Sequence, residues 1–457
     1  MSEQTPRRPT ATPSATVDLL VAGEHDGLVR ATLDRWGAAG YTHESDADLG
    51  LSRIAYPREH LEALLDGWRR ERAQRPAPGA GAAVPDDGTP PGLRETYVRP
   101  ARRAADGGLE PDDADELLTL LRTSLADRYS GWFPTMGKNR FLGLVTNGGG
   151  TVSHGGGPPP VRTDDVVRLD GSGGAGITVG VLDTAVLAHP ALAGRYLADE
   201  SDRLVPGDGP LPVAAGHATF VTGLVLQRAP GATVRVRRVL DDRGAASSWD
   251  VARGIVALGR SGIDVLNLSL VCYTSDSRPP LALAAAVDRL PPEVLVVACS
   301  GNHADPLVAQ QLAGERPDGE LRVDAREPAW PAALDDVVAV GSARVAATKK
   351  RSRSATLAPF TPPDAPWIDV VVPGENLLST YLTGTVELDD GTTTEKPFGG
   401  QGRWGGTSFS AALLAGHVAR RAATKGVPVR AAWSSLLSKA DRTRGEGRLP
   451  PFVDIPL

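Results

Sequence analysis

The chain has 457 residues, 41% of them hydrophobic, which is enough for more than one domain and a sizeable core. Its formal net charge of -6 and sequence pI near 5.8 give no basic excess, so electrostatics exclude nucleic acid and anionic membrane as expected partners. No segment is apolar enough to span a bilayer. Cys272 and Cys299 are its two cysteines, too few for a disulfide framework, so a reducing, cytoplasmic compartment is expected.

Residues 1–16 are polar and Pro-rich, with Arg7 and Arg8 but no apolar stretch behind them; a disordered N-terminus without a secretory signal is expected. Residues 17–99 read as a small α+β module. Val17 to Ala22 and Leu49 to Ala55 have strand character, Leu28 to Trp36 and His60 to Arg72 have helical character, and Thr96 to Arg99 could add a strand. Pro76 to Pro91 is a Gly/Ala/Pro-rich linker or exposed loop within it. Residues 100–160 are expected to hold a helix from Asp112 to about Tyr129, then a second Gly/Pro-rich linker from Asn147 to Pro160.

Residues 161–445 form the expected large domain, with 446–457 as a C-terminal tail. Short apolar runs recur at Ile177–Leu182, Val234–Val239, Val265–Leu270, Val294–Ala298 and Val337–Val340. They alternate with helical stretches such as Trp249–Ser261 and Leu281–Leu290, a pattern that predicts an α/β fold with a mostly parallel sheet covered on both faces. Functional groups in such sheets gather at the carboxyl ends of the strands.

Asp183 stands at one such end, directly after Ile177–Leu182. An acid there can be catalytic, or can cap a helix. His217 sits in Gly216-His217-Ala218-Thr219, where a loop meets a helix of small residues; the alternative is a structural histidine. Ser408 lies in Gly405-Gly406-Thr407-Ser408, a glycine turn opening the apolar helix Ala411 to Arg420. A nucleophile at a helix N-terminus gains from the positive helix end, although Thr407 or Ser408 could also be a plain cap. Asn302, in Ala298-Cys299-Ser300-Gly301-Asn302, is a candidate donor to a developing oxyanion or a turn asparagine.

Read jointly in the order Asp, His, Ser, these phrases resemble the subtilisin-like serine peptidase family over about residues 165–440. Val265-Leu266-Asn267-Leu268-Ser269-Leu270 is similar to that family's substrate-binding strand, and Val372-Pro373-Gly374-Glu375-Asn376 to its loop before the serine. The resemblance implies a three-layer subtilisin-like fold and a bacterial intracellular serine endopeptidase acting on protein or peptide through an acyl-enzyme. Asp183, His217 and Ser408 would be the triad, and Asn302 with the Ser408 backbone N–H the oxyanion hole. Ser269, Leu270 and Val271 on one side and Cys299, Ser300 and Gly301 on the other would bind an extended substrate. Val271 and Cys272 stand where glycines are usual, Ala185 and Ala218 replace two further glycines, and Ala412 replaces a proline. An alternative reading is a pseudo-protease that binds a peptide or partner.

The order strand, helix, strand, strand, helix, strand over Val17 to Arg99 also resembles the propeptide of such enzymes, which would make it an intramolecular inhibitor. No cofactor is expected: the remaining histidines, at 25, 43, 60, 154, 189, 303 and 417, lack ligand spacing. Calcium is common in the family, but no oxygen-rich loop matches a site. Gly171 to Gly176 has dinucleotide-loop spacing but precedes a strand, so nucleotide binding is not expected.

Overall fold

The computed structural model describes residues 16–73, 113–142, 159–274, 277–305, 327–347, 353–388, 392–442 and 450–455. The chain divides into a compact unit over residues 13–139 and a second that includes everything from residue 140 onward.

The first unit is a four-stranded antiparallel sheet in the order Thr42–Asp46, Leu51–Pro57, Thr16–Ala22, Met136–Lys138. Val17, Leu19 and Val21 alternate onto one face, as a period of two requires, and join Ile54 and Tyr56 in the core. Helices Asp26–Arg35, Leu61–Ala73 and Asp113–Arg128 accompany the sheet. The last of these buries Leu117, Leu118, Leu121 and Leu125, one helical stripe, in that same core. The unit therefore continues past residue 99. Its fourth strand comes from Met136–Lys138, where three residues centred on Gly137 give almost no strand signal. Thr96–Arg99, the Pro76–Pro91 linker and most of Asn147–Pro160 lie outside the described residues, as do residues 1–15.

The second unit is built on an eight-stranded sheet. Its path runs Arg353–Leu357, Val337–Ala347, Leu295–Cys299, Val265–Leu268, Thr178–Asp183, Thr233–Arg238, Tyr196–Leu197, with Val370–Pro373 also on Val337–Ala347. Every pair is parallel except that of Arg353–Leu357. Val265–Leu268, Leu295–Cys299 and Val370–Pro373 are buried at each position, as strands covered on both faces must be. Val179 and Val181 pack into the core shared with helices His217–Arg228 and Thr407–Lys425. Leu182, on the other face, touches the Gly254 position of helix Ser248–Gly259. The result is the expected three-layer α/β arrangement.

Helices His217–Arg228 and Thr407–Lys425 cross closely because Gly416 has no side chain: a Cβ there would lie 2.5 Å from the Val225 carbonyl oxygen. Beyond the expected strands, Leu377–Gly384 and Phe398–Trp404 pair antiparallel, and helix Val429–Arg442 follows the long helix. Of the expected tail at 446–457, the described residues 450–455 are tied down. Val371 accepts a bond from Val453 at 3.0 Å and donates to Pro451 at 2.9 Å, and Val453 and Ile455 are buried in the main core.

Candidate active site

Three neighbouring strands deliver their carboxyl ends to one place. Thr178–Asp183 ends on Asp183, Val265–Leu268 runs directly into Ser269, and Leu295–Cys299 leads into Ser300, Gly301 and Asn302. This is the ligand address of a parallel sheet. The Asp183 main-chain carbonyl accepts from Val239 at 2.9 Å and Leu240 at 3.1 Å, and its Oδ1 accepts from the Thr184 N–H at 2.7 Å, so the side chain is held at both ends.

His217 opens its helix beside that strand end. Its Nδ1 lies 2.8 Å from both Asp183 carboxylate oxygens, and both residues are fully buried. The helix start is fixed from two directions. Thr184 Oγ1 accepts from the Ala218 N–H at 3.1 Å, while the Thr380 and Ser379 hydroxyls donate to the Thr219 and Phe220 carbonyls at 2.7 Å. Aromatic rings wall the imidazole, with Phe409 at 5.3 Å and Trp404 at 5.9 Å between centroids.

Ser408 occupies the first turn of Thr407–Lys425, next to Phe409. Its hydroxyl donates to the Ser269 carbonyl at 3.3 Å, and its own carbonyl accepts from the Ser269 hydroxyl at 2.9 Å. The Asn267 amide donates to that same Ser269 hydroxyl at 2.9 Å, locking its rotor. Asn302 is joined to the same turn: its Oδ1 accepts from the Thr407 N–H at 3.0 Å and from the Thr407 hydroxyl at 2.9 Å. A backbone N–H can only donate, so this atom must be the amide oxygen. The Asn302 NH₂ is thereby turned the other way, and Nδ2 would lie 3.4 Å from a Cβ at Gly406, two residues before Ser408.

Ser269, Leu270, Val271, Cys299, Ser300 and Gly301 all sit at this end of the sheet, and all are buried. The Cys272 backbone exchanges bonds of 2.8 and 2.9 Å with Trp330, so that segment is paired along one edge. Burial pushes the Cys299 thiol up to about 11, against the opposing pull of hydrogen bonds from Ser408, Gly301 and Thr407 among others. It is therefore a neutral thiol near pH 7 and a poor nucleophile. Sequence reasoning passed over Thr407 as the orienter of Asn302 and Trp404 as a wall of the imidazole. Both roles depend on approaches between distant segments that no local pattern records.

The model of the subtilase family matches residues 174–445, more than half of the chain. The chain belongs to the subtilase family. It is a subtilisin-like serine protease, and its relatives carry protease names. Subtilisin Savinase of Lederbergia lenta is 30% identical over 233 residues, covering 49% of this chain and 73% of that protein. Subtilisin BL of Lederbergia lenta is 32% identical over 235 residues, covering 49% of this chain and 73% of that protein. The major intracellular serine protease of Bacillus subtilis (strain 168) is 28% identical over 234 residues, covering 46% and 64%. Among solved structures, fervidolysin from Fervidobacterium pennivorans aligns with 96% of this chain and 60% of its own, at a TM-score of 0.52 and 15% identity, a likeness of fold.

Among the described residues, no helix is long and apolar enough to cross a membrane. Among the described residues, no group of three or more His, Cys, Asp or Glu is placed to hold a metal ion.

Proposed function

We propose that the chain hydrolyses protein or peptide substrates by acyl transfer, with Ser408 as nucleophile, His217 as general base and then acid, and Asp183 as the group that orients and stabilises the imidazole. The observation that carries this reading is the buried contact of His217 Nδ1 with both Asp183 oxygens at 2.8 Å. A carboxylate only accepts, so Nδ1 is a protonated nitrogen, which leaves Nε2 as the atom through which the ring would act as a base. Asn302 Nδ2 and the Ser408 backbone N–H would donate to the tetrahedral oxyanion. The substrate would lie extended between Ser269–Val271 and Cys299–Gly301, adding a strand.

The test is cleavage of an unfolded casein-type substrate by the full chain and by Ser408→Ala. Activity in the first and none above background in the second is expected; equal activity in both overturns the assignment. We also infer a reducing, cytoplasmic setting, supported by two buried cysteines that form no disulfide. The N-terminal unit, with a core of its own, is proposed as an intramolecular inhibitor. N-terminal sequencing of active protein beside Ser408→Ala checks this, and an intact Met1 end in both removes it.

A further inference from the structure

The pocket proposed to receive the substrate side chain lies between the segment after Val265–Leu268 and the segment after Leu295–Cys299. It is bounded by the nucleophile, since the Ser269 carbonyl touches Ser408, and by the oxyanion donor, since Gly301 precedes Asn302. The residue that supplies the scissile carbonyl must place its side chain there.

That space is filled by the protein itself. The Tyr273 hydroxyl sits where a Cβ on Gly301 would have to go, with its Cζ 3.3 Å from that point. Gly301, at φ +80°, is in a backbone conformation that favours glycine, and the phenol uses the room its missing side chain leaves. Two contacts with one residue hold the ring. The hydroxyl lies 2.8 Å from His303 Nδ1, and the two rings meet edge-on at 4.7 Å. His303 is itself 1% exposed, so the anchor is not a surface side chain free to swing. Val271 and Cys272, the two residues before Tyr273, are both fully buried.

We propose that Tyr273, anchored by His303 in the room that Gly301 leaves, closes the bottom of the acyl-side pocket and restricts the residue before the scissile bond to Gly, Ala or Ser. This rests on the acyl-transfer reading above.

The experiment titrates full-length Ser408→Ala, by calorimetry, with product-like hexapeptides identical except for a C-terminal Ala or Phe. In parallel, wild type is labelled with a fluorophosphonate and assayed on matched substrates. Ala is expected to be favoured on the order of 50-fold in both binding and kcat/KM. Tyr273→Ala is expected to bring Phe level with Ala or ahead of it, with a melting curve to confirm folding; if that variant does not fold, the preference of the native pocket decides alone. Phe accepted as well as Ala by a protein whose Ser408 is labelled overturns the closed pocket while leaving acyl transfer intact. An unchanged preference in folded Tyr273→Ala overturns the role of Tyr273. No labelling and no binding of either peptide removes acyl transfer, and this proposal with it.

Discussion

Asp183 and His217 form one half of the candidate site through short polar contacts between a strand end and a helix start, whereas in the proposed other half Val271 and Tyr273 supply bulk and Gly301 the room that the Tyr273 hydroxyl occupies. The first half uses groups whose chemistry is interchangeable among peptide substrates. In the second, Val271 stands where the resemblance to the family leads one to expect a glycine, and there the proposed reading lets this chain differ from its relatives in what it cuts. On the proposed acyl-transfer reading, catalytic power and selectivity would reside in separate segments that meet at Ser408, and variants should separate them.

The largest effect is expected from Ser408→Ala, a loss on the order of a million-fold in kcat, about 8 kcal/mol of barrier, read by single-turnover assay. Asp183→Asn should lose roughly 10,000-fold in kcat, because an amide facing Nδ1 stabilises the wrong tautomer, with little change in the preference for Ala over Phe. Retained rate in Asp183→Asn would break the division between the halves. Asn302→Leu should lose about 100- to 1,000-fold in kcat with KM nearly constant, as expected for a bond made chiefly in the transition state. Thr407→Val removes one of the two donors that turn the Asn302 amide, and a smaller loss of about tenfold is expected, again in kcat.

A control lies on the same long helix, away from Ser408. Burial, with Arg228, Arg421, Arg420 and Lys439 nearby, lowers His417 to about 4. Its folded value is below its unfolded one, so the unfolded chain binds the extra proton, and stability falls as pH drops from about 6.5 to about 4. After allowance for solvent screening, the loss attributable to this residue is about 2 kcal/mol. His417→Gln should flatten that part of a urea-denaturation pH profile and leave substrate preference unchanged.

The legibility of the sequence follows the same line. Asp183, His217, Asn302 and Ser408 could be singled out as candidates because each stands at a sharp backbone transition after a strand or at a helix start. The buried strands could be read because a parallel sheet demands unbroken apolar runs. Tyr273 and His303 could not, since their partnership exists only where two chain segments thirty residues apart converge. Helix Val429–Arg442 was readable and was missed: Val429, Ala432, Trp433, Leu436 and Ala440 keep helical spacing and are buried. The extent of the N-terminal unit was not readable, because Met136–Lys138 is too short and glycine-broken to announce itself as a strand.

Mass-spectrometric mapping of the fluorophosphonate adduct in the full chain, beside a folded His217→Ala variant, tests the central claim most directly. A single adduct on the peptide containing Ser408, absent from the variant, is the predicted result. An adduct on another residue, or labelling of Ser408 that is indifferent to His217, would contradict a hydroxyl activated by the Asp183-held imidazole.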